Sequence, residues 1–236
     1  MSKFLLWDFD GTLGYRIDGL KGRAWSMSML EAIREFNPLT GISIEDISPY
    51  LIRGFPWHEP EIAHTHLHSP ELWWAHIRRI FERTYFELGF SRLQSAELSL
   101  YAQRRYVDLS TWELFDDTIP TIDALYNLGW NHVIVSNHVP ELRNIIEHLG
   151  LGKYILNIVN SAEVGYEKPN PMIYKLAVEK AGRSNNIWMI GDNINADVLG
   201  AEQIGVKGIL VRQKDIKAKY QFDNLIKLKD FLIAHS

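Results

Sequence analysis

The sequence predicts an α/β protein in which a mostly parallel sheet carries helices on both faces and an all-helical segment interrupts the chain after its first strand. Three observations carry this. From about Trp112 onward, short apolar runs alternate with helical patterns, the mark of βαβ units. Those runs are near-continuously apolar, as in strands buried on both faces. Between residues 19 and 108 only helical periods occur, although a strand-like "FLLW" stands ahead of them.

Each element has its own signal. "FLLW" (4–7) reads as a short buried strand. Trp25, Met29, Ile33 and Phe36 recur at helical spacing. In "SPELWWAHIRRIFERTYFELG" (69–89), Trp73, Ile77, Ile80, Phe81, Tyr85 and Leu88 share one helical face. Ser69 and Pro70 there suit the N-cap and first turn, and Gly89 suits the stop. "NHVIVSN" (131–137) is a strand with a polar tip, and "PELRNIIEHLG" (140–150) a helix closed by Gly150. "YILNIV" (154–159) and "NPMIYKLAVEKAG" (170–182) repeat strand and helix. "NIWMIGD" (186–192), "NADVLGAEQIG" (195–205) and "VKGILV" (206–211) continue as strand, helix, strand. The first strand pairs with the later half, so the α/β unit is discontinuous, 1–18 with 109–236, around a helical domain at 19–108.

Composition narrows the class. The chain has 236 residues and a formal net charge of −4, without the basic footprint of a nucleic-acid binder. No run approaches the roughly 20 apolar residues a membrane helix needs. Asp8 and Asp10 fall where a signal peptide would continue its apolar stretch. The sequence has no cysteine, which excludes disulfides and thiolate-held metals. A cytoplasmic protein with neither nucleic-acid nor membrane partners is expected; oligomeric state is open.

Ligands of open parallel sheets bind beyond the carboxyl ends of the strands, and here those ends are polar. The first strand ends at Asp8 and Asp10, the next at Ser136 and Asn137, and a later one at Asp192, with Asp197 close behind. Lys168 follows the strand at 154–159. Asp8 and Asp10 are two apart, so on extended chain they point one way and Phe9 the other. Asp8, Asp192 and Asp197 brought together would repel, and a hard divalent cation would relieve that; Mg²⁺ is the usual choice where phosphate is a co-ligand. Gly11, Thr12 and Gly14 would turn tightly and offer amide groups to an anion. Lys168 would hold a phosphoryl group.

"DFDGTL", "VSN", Lys168 before a proline and "GDNINAD", in that order, resemble the four motifs of the haloacid dehalogenase-like hydrolases. The resemblance covers the whole α/β part and implies a Rossmann-like core, with the helical insertion as a small cap domain. It implies Asp8 as nucleophile forming an aspartyl-phosphate, and Asp10 as general acid and then base, its carbonyl also a Mg²⁺ ligand. Asp192 would ligate Mg²⁺, and Asp197 would do so directly or through water. Ser136 and Lys168 would hold the phosphoryl oxygens, with Asn137 and the Gly11–Thr12 turn beside them. The halocarbon-cleaving branch of the family lacks the second aspartate, so Asp10 points to a Mg²⁺-dependent phosphatase acting on a small phosphorylated metabolite. A phosphomutase or a non-enzymatic phospho-switch stays open. Phosphonate cleavage would need a cap lysine, and only Lys21 at the cap's edge is near.

Within the insertion, "LIRGFPWHEPE" (51–61) resembles the cap loop that sets specificity in relatives, which makes Arg53, Trp57 and His58 candidates for substrate contact. Trp57, Trp73, Trp74 and Tyr85 would suit a planar leaving group. Tyr15 and Arg16 are expected near the cap–core junction. His64, His66 and His68 would line up for a metal on a strand. They lie between Pro60 and Pro70 in a helical region, so a loop is expected instead.

Overall fold

The computed structural model describes residues 2–17, 23–182 and 184–234. Strands β1 (Lys3–Trp7), β4 (Trp130–Ser136), β5 (Ile155–Asn160), β6 (Asn186–Gly191), β7 (Lys207–Val211) and β8 (Gln221–Phe222) form a six-stranded sheet in the order β5–β4–β1–β6–β7–β8. Every neighbouring pair is parallel. β1 is central: Trp7 lies opposite Ile134 of β4 on one side and Ile190 of β6 on the other. The chain leaves β1 in both directions across the sheet, so the switch point lies at its carboxyl end.

Alternate side chains of β1 enter opposite layers. Leu5 and Trp7 join Ile134, Ile190 and Ile209 in one cluster, covered by α5 (Thr118–Asn127), α6 (Leu142–His148) and α10 (Leu225–Ala234). Phe4 and Leu6 join Val133, Val135 and Met189 in the other, covered by α8 (Pro171–Lys180) and α9 (Gly200–Glu202). A one-turn helix, α7 (Ser161–Val164), follows β5.

Helices α1 (Ala24–Phe36), α2 (Ile44–Ile47), α3 (Pro70–Glu87) and α4 (Arg92–Tyr106) make up the helical block, with α1 and α3 packed on α4. The Ser69 hydroxyl accepts from the Leu72 amide at 3.3 Å at the start of α3. The predicted apolar face is buried from Trp73 to Tyr85, and the Tyr85 hydroxyl donates to the Met29 carbonyl at 2.9 Å. Phe36 differs: at the end of α1 it is 52% exposed and rests edge-on against Tyr101.

Two features depart from the sequence expectation. β2 (Gly14–Arg16) and β3 (Trp112–Leu114) pair antiparallel where the chain passes between the two halves; three residues are too few to show a period. Buried Arg16 donates from Nη1 to the Tyr106 carbonyl at 2.7 Å, placing a cation at the negative end of α4. The predicted boundary at residue 18, and Lys21, lie outside the described residues. The second departure is at 194–199, where the expected α-helix is wound as a π-helical turn, Ile194–Leu199, before α9. Among the described residues no helix is long and apolar enough to cross a membrane.

The helical block also meets the α/β half through polar contacts. The His64 amide donates to the Gly165 carbonyl at 2.7 Å, and the Asn170 side-chain amide to the Pro60 carbonyl at 3.0 Å. The Trp74 indole donates to the Glu141 carboxylate at 2.9 Å.

Fully buried His132 makes the fold sensitive to acid. The Trp7 indole donates to His132 Nδ1 at 2.9 Å, and an indole can only donate, so that nitrogen must be unprotonated. Burial lowers the His132 pKa from 6.5 to about 4. Between those values the unfolded chain binds a proton that the folded chain refuses, so stability falls as pH drops from about 6.5 towards 4 and is unaffected above that window. His132→Gln keeps an acceptor for Trp7 and removes the titration. Denaturant melts at pH 7 and pH 4 should show wild type losing on the order of 3 kcal/mol more than the variant.

Candidate active site

The carboxyl ends of β1, β4 and β6 meet because those strands are neighbours. Asp8 continues β1, its amide donating to the Ile190 carbonyl at 2.9 Å. At the end of β4 the Ser136 hydroxyl donates to Asp8 Oδ1 at 2.7 Å. Lys168 Nζ reaches the same oxygen at 2.7 Å and Asp197 Oδ1 at 2.6 Å. The ammonium is therefore shared by two carboxylates, and all three residues are at least nine-tenths buried. Burial alone would lower the Lys168 pKa, but the charges of Asp197 and Asp8 outweigh it and hold the ammonium protonated. Burial pushes Asp197 up to about 7; Lys168 opposes this, and the charge of Asp8 adds to it.

Each partner is itself held. Asn137 grips the backbone of Lys168 at both ends: its Nδ2 donates to the Lys168 carbonyl at 2.9 Å, and its Oδ1 accepts from the Lys168 amide at 2.7 Å. The Asn137 side-chain amide is thus engaged in positioning Lys168. Asp197 is aimed by the π-helical turn. The Asn193 side chain accepts from the amides of Asn195 and Ala196, each at 3.0 Å. The Asn193 amide in turn donates to Asp197 Oδ2 at 2.9 Å. A β-carbon on Gly191 would strike the Asp197 carboxyl group, so only glycine fits there.

Asp8, Asp192 and Asp197 each offer a carboxylate oxygen, and these lie within 4.8 Å of one another. Three hard oxygen donors so close together suit a hard divalent cation of the magnesium kind. Gly11 lets the first turn approach this cluster. It adopts φ +83°, and a β-carbon on it would come within 2.8 Å of Asp192 Oδ2. Its amide donates to the Gly14 carbonyl at 2.8 Å, closing the turn. Thr12 is fully buried and its hydroxyl has no hydrogen-bond partner. The amides expected to face an anion are engaged within the turn, those of Thr12 and Gly14 both donating to the Phe9 carbonyl at 3.1 Å.

Asp10 opens onto a cleft of about 650 Å³ between the sheet edge and the helical block. Water reaches its carboxyl, yet the cleft walls strip much of its solvation. That desolvation first, and the charge of Asp8 second, raise its pKa to about 6, against Arg16 and the Gly11 amide. Trp57 and His58 line the cleft, as do Lys168 and Asn137. Arg53 does not: it is exposed at a bend that turns Phe55 and Pro56 inward in its place. Trp73, Trp74 and Tyr85 are packed inside the helical block. The aromatic residues on the cleft besides Trp57 are Trp25, Phe55 and Tyr106. His64, His66 and His68 surround a single 3-10 turn, Thr65–Leu67, and form no metal cluster among the described residues.

Sequence reasoning passed over Asn193, Trp25, Phe55 and Tyr106. Asn193 had a signal, an asparagine just ahead of a helix. The aromatics had none, since spacing alone does not separate a core face from a cleft wall.

A family model described as haloacid dehalogenase-like hydrolase matches residues 3–205. The chain belongs to that family. It is 28% identical over 149 residues to haloacid dehalogenase-like hydrolase domain-containing protein 3 of Danio rerio, covering 61% of this chain and 60% of that one. It is 32% identical over 108 residues to the glyceraldehyde 3-phosphate phosphatase of Methanothermobacter thermautotrophicus, covering 44% of this chain and 47% of that one. The chain thus spans about half to three-fifths of these curated relatives. Among solved structures, a 2-haloacid dehalogenase from Pseudomonas syringae aligns over 100% of both chains with a TM-score of 0.72 at 20% identity, a likeness of fold.

Removing the shared cation should expose its role. Lys168→Met leaves Asp8 and Asp197 buried against each other, and breaking a buried pair costs about 3–5 kcal/mol. Denaturant melts near pH 8 should show that loss. Millimolar Mg²⁺ or a lower pH should narrow the gap to wild type, since either relieves the two carboxylates.

Proposed function

We propose that the protein is a Mg²⁺-dependent phosphatase that hydrolyses a small phosphorylated metabolite through a phosphorylated Asp8. The observation that carries this is the convergence of Ser136 and Lys168 on one oxygen of Asp8, within reach of two further carboxylates. Both donors fall on Oδ1, which leaves Oδ2 as the attacking oxygen. That oxygen forms a bond to phosphorus as the ester oxygen leaves. Asp10, two residues further along the chain and open to the cleft, gives its proton to the departing alkoxide. It then takes a proton from the water that cleaves the aspartyl-phosphate, which returns Asp8 as carboxylate and releases inorganic phosphate. Ser136 and Lys168 donate to the phosphoryl oxygens as charge shifts onto them.

Asp8 and Asp192, with the Asp10 carbonyl, would hold Mg²⁺. Asp197 would act through water, because both its oxygens already accept from Lys168 and Asn193. The bound ion supplies charge neutralisation between the phosphoryl group and the carboxylates. In this reading 19–108 is a cap domain, and its docking over the cleft excludes water during chemistry. The similarity to a glyceraldehyde 3-phosphate phosphatase supports the reaction class. The fold it shares with a dehalogenase does not weigh against it, because fold alone does not fix chemistry.

The decisive assay is phosphate release from p-nitrophenyl phosphate with Mg²⁺ and with EDTA. Turnover should require the cation and vanish in Asp8→Asn. Asp10→Asn should slow a poor alkoxide leaving group by about 10²- to 10⁴-fold and slow p-nitrophenolate departure far less, since that group needs no proton. A single burst of labelled Asp8 without sustained release would replace the hydrolase with a phospho-switch. Full activity in Asp8→Asn would overturn the reading.

A further inference from the structure

Among the described residues, the cleft wall facing the proposed phosphoryl site is aromatic and carries no lysine or arginine. Trp25 stacks on Tyr106 with ring centroids 3.6 Å apart and planes 10° from parallel. Trp57 stacks on Phe55 at 4.5 Å and 22°, and Trp25 lies 5.7 Å from Trp57 at 29°. Phe55 and Tyr106 are buried behind, while Trp25 and Trp57 are half-buried. Trp25 and Trp57 therefore present partly exposed indole surface to the cleft, already held in place by ring contacts, which lowers the ordering cost of a ligand packed against it.

Charge complements this. Among the described residues no lysine or arginine of the helical block lines this cleft. Lys168 is on the opposite wall and is shared by Asp8 and Asp197. A second opening lies beyond Asp10 and includes Arg16, Arg212 and the exposed Lys214, away from the aromatic wall. Arg16 donates to the Tyr106 carbonyl, Arg212 pairs with Asp117 at 2.5 Å, and Lys214 lies 3.7 Å from Asp223. A leaving group with its own carboxylate or second phosphate would find no counter-charge on the aromatic wall, and burying an unpaired charge is costly.

We infer that the substrate is a phosphate monoester with an uncharged, ring-bearing leaving group, the flat face of the ring lying on Trp25 and Trp57. This rests on the phosphatase reading and adds the substrate class. Nucleobase, aryl and pyranose rings share the chemistry, because each presents a flat, weakly polar face to an indole.

The test is kcat/KM with saturating Mg²⁺ on three groups of esters. The first is neutral and ring-bearing: a nucleoside 5′-monophosphate, phenyl phosphate and a hexose 6-phosphate, whose ranking separates the three ring sources. The second is the neutral acyclic glycerol phosphate, and the third is doubly anionic: phosphoglycolate and a sugar bisphosphate. At least one ring ester should exceed both other groups by about tenfold, the equivalent of one good ring contact. Trp57→Ala should raise KM for that ester by a similar factor and shrink its advantage over glycerol phosphate, and Trp57→Phe should restore most of it. A proportional fall on every ester in Trp57→Ala would make the wall a packing element and overturn the inference. So would a preference for either doubly anionic ester. Both outcomes leave the phosphatase standing, whereas no turnover of any ester would remove the phosphatase and this inference together.

Discussion

A single buried ammonium, shared by two carboxylates from distant parts of the chain, is the interaction on which the arrangement depends. Lys168 sits within 2.7 Å of Asp8 and 2.6 Å of Asp197, and taking three such groups out of water is expensive. Buried ion pairs seldom improve on a well-packed apolar substitute, so stability does not explain this one. The surroundings show instead how much of the fold is given to holding it. Asn137 uses both ends of its amide on the Lys168 backbone, and a π-helical turn re-aims Asp197. Gly191 stays bare so that the Asp197 carboxylate fits. Irregular π turns are frequent at functional sites; here the irregularity has a definite product, the direction of one carboxylate.

The join between the helical block and the sheet follows a different logic. Close to the ribbon, Arg16 binds the carboxyl end of α4. Across the cleft mouth the links are a few polar bonds, from His64, Asn170 and Trp74. Links of that kind exchange readily with water, with a net worth of about 0.5–1.5 kcal/mol each. The block is thus anchored at the ribbon by a buried cation, and at the rim by polar bonds beside close backbone packing, where a β-carbon on Gly165 would come within 2.6 Å of Thr65 Cα.

Much of this was legible in the sequence, and the reason is the depth of the sheet. Strands buried on both faces must be apolar throughout, so the polar residues that interrupt them, Asp8, Ser136 and Asp192, mark the strand tips by contrast. Lys168 and Asp197 follow from the alternation of strand and loop. What stayed hidden depended on packing between segments far apart. Trp25 has the same helical spacing as Met29 and Ile33, yet it faces the cleft while they face the core. The reverse holds for Trp74 and Tyr85, which read as candidate stacking surfaces and prove to be interior. β2 and β3 are too short to carry a period, and the π turn opens at an Asn193 side chain that accepts from two backbone amides, which no apolar pattern records.

The same sheet serves carbon–halogen and phosphate chemistry, so the distinction must lie in the side chains at its edge. Asp8 suits either reaction, since a carboxylate can attack carbon or phosphorus. The three clustered carboxylates separate them. Halide leaves as a stable anion and needs neither a proton donor nor a cation, and a site built for it gains nothing from crowding Asp192 and Asp197 around its nucleophile. An alkoxide needs a proton, and a phosphoryl group brings negative charge into the site. Both needs justify groups that would otherwise be liabilities: Asp10 in the cleft, with its carboxyl raised to about 6, and an acidic cluster with one ammonium between its members. The acidic cluster makes sense with the divalent cation it would hold, whose charge would offset both the carboxylates and the incoming phosphoryl group.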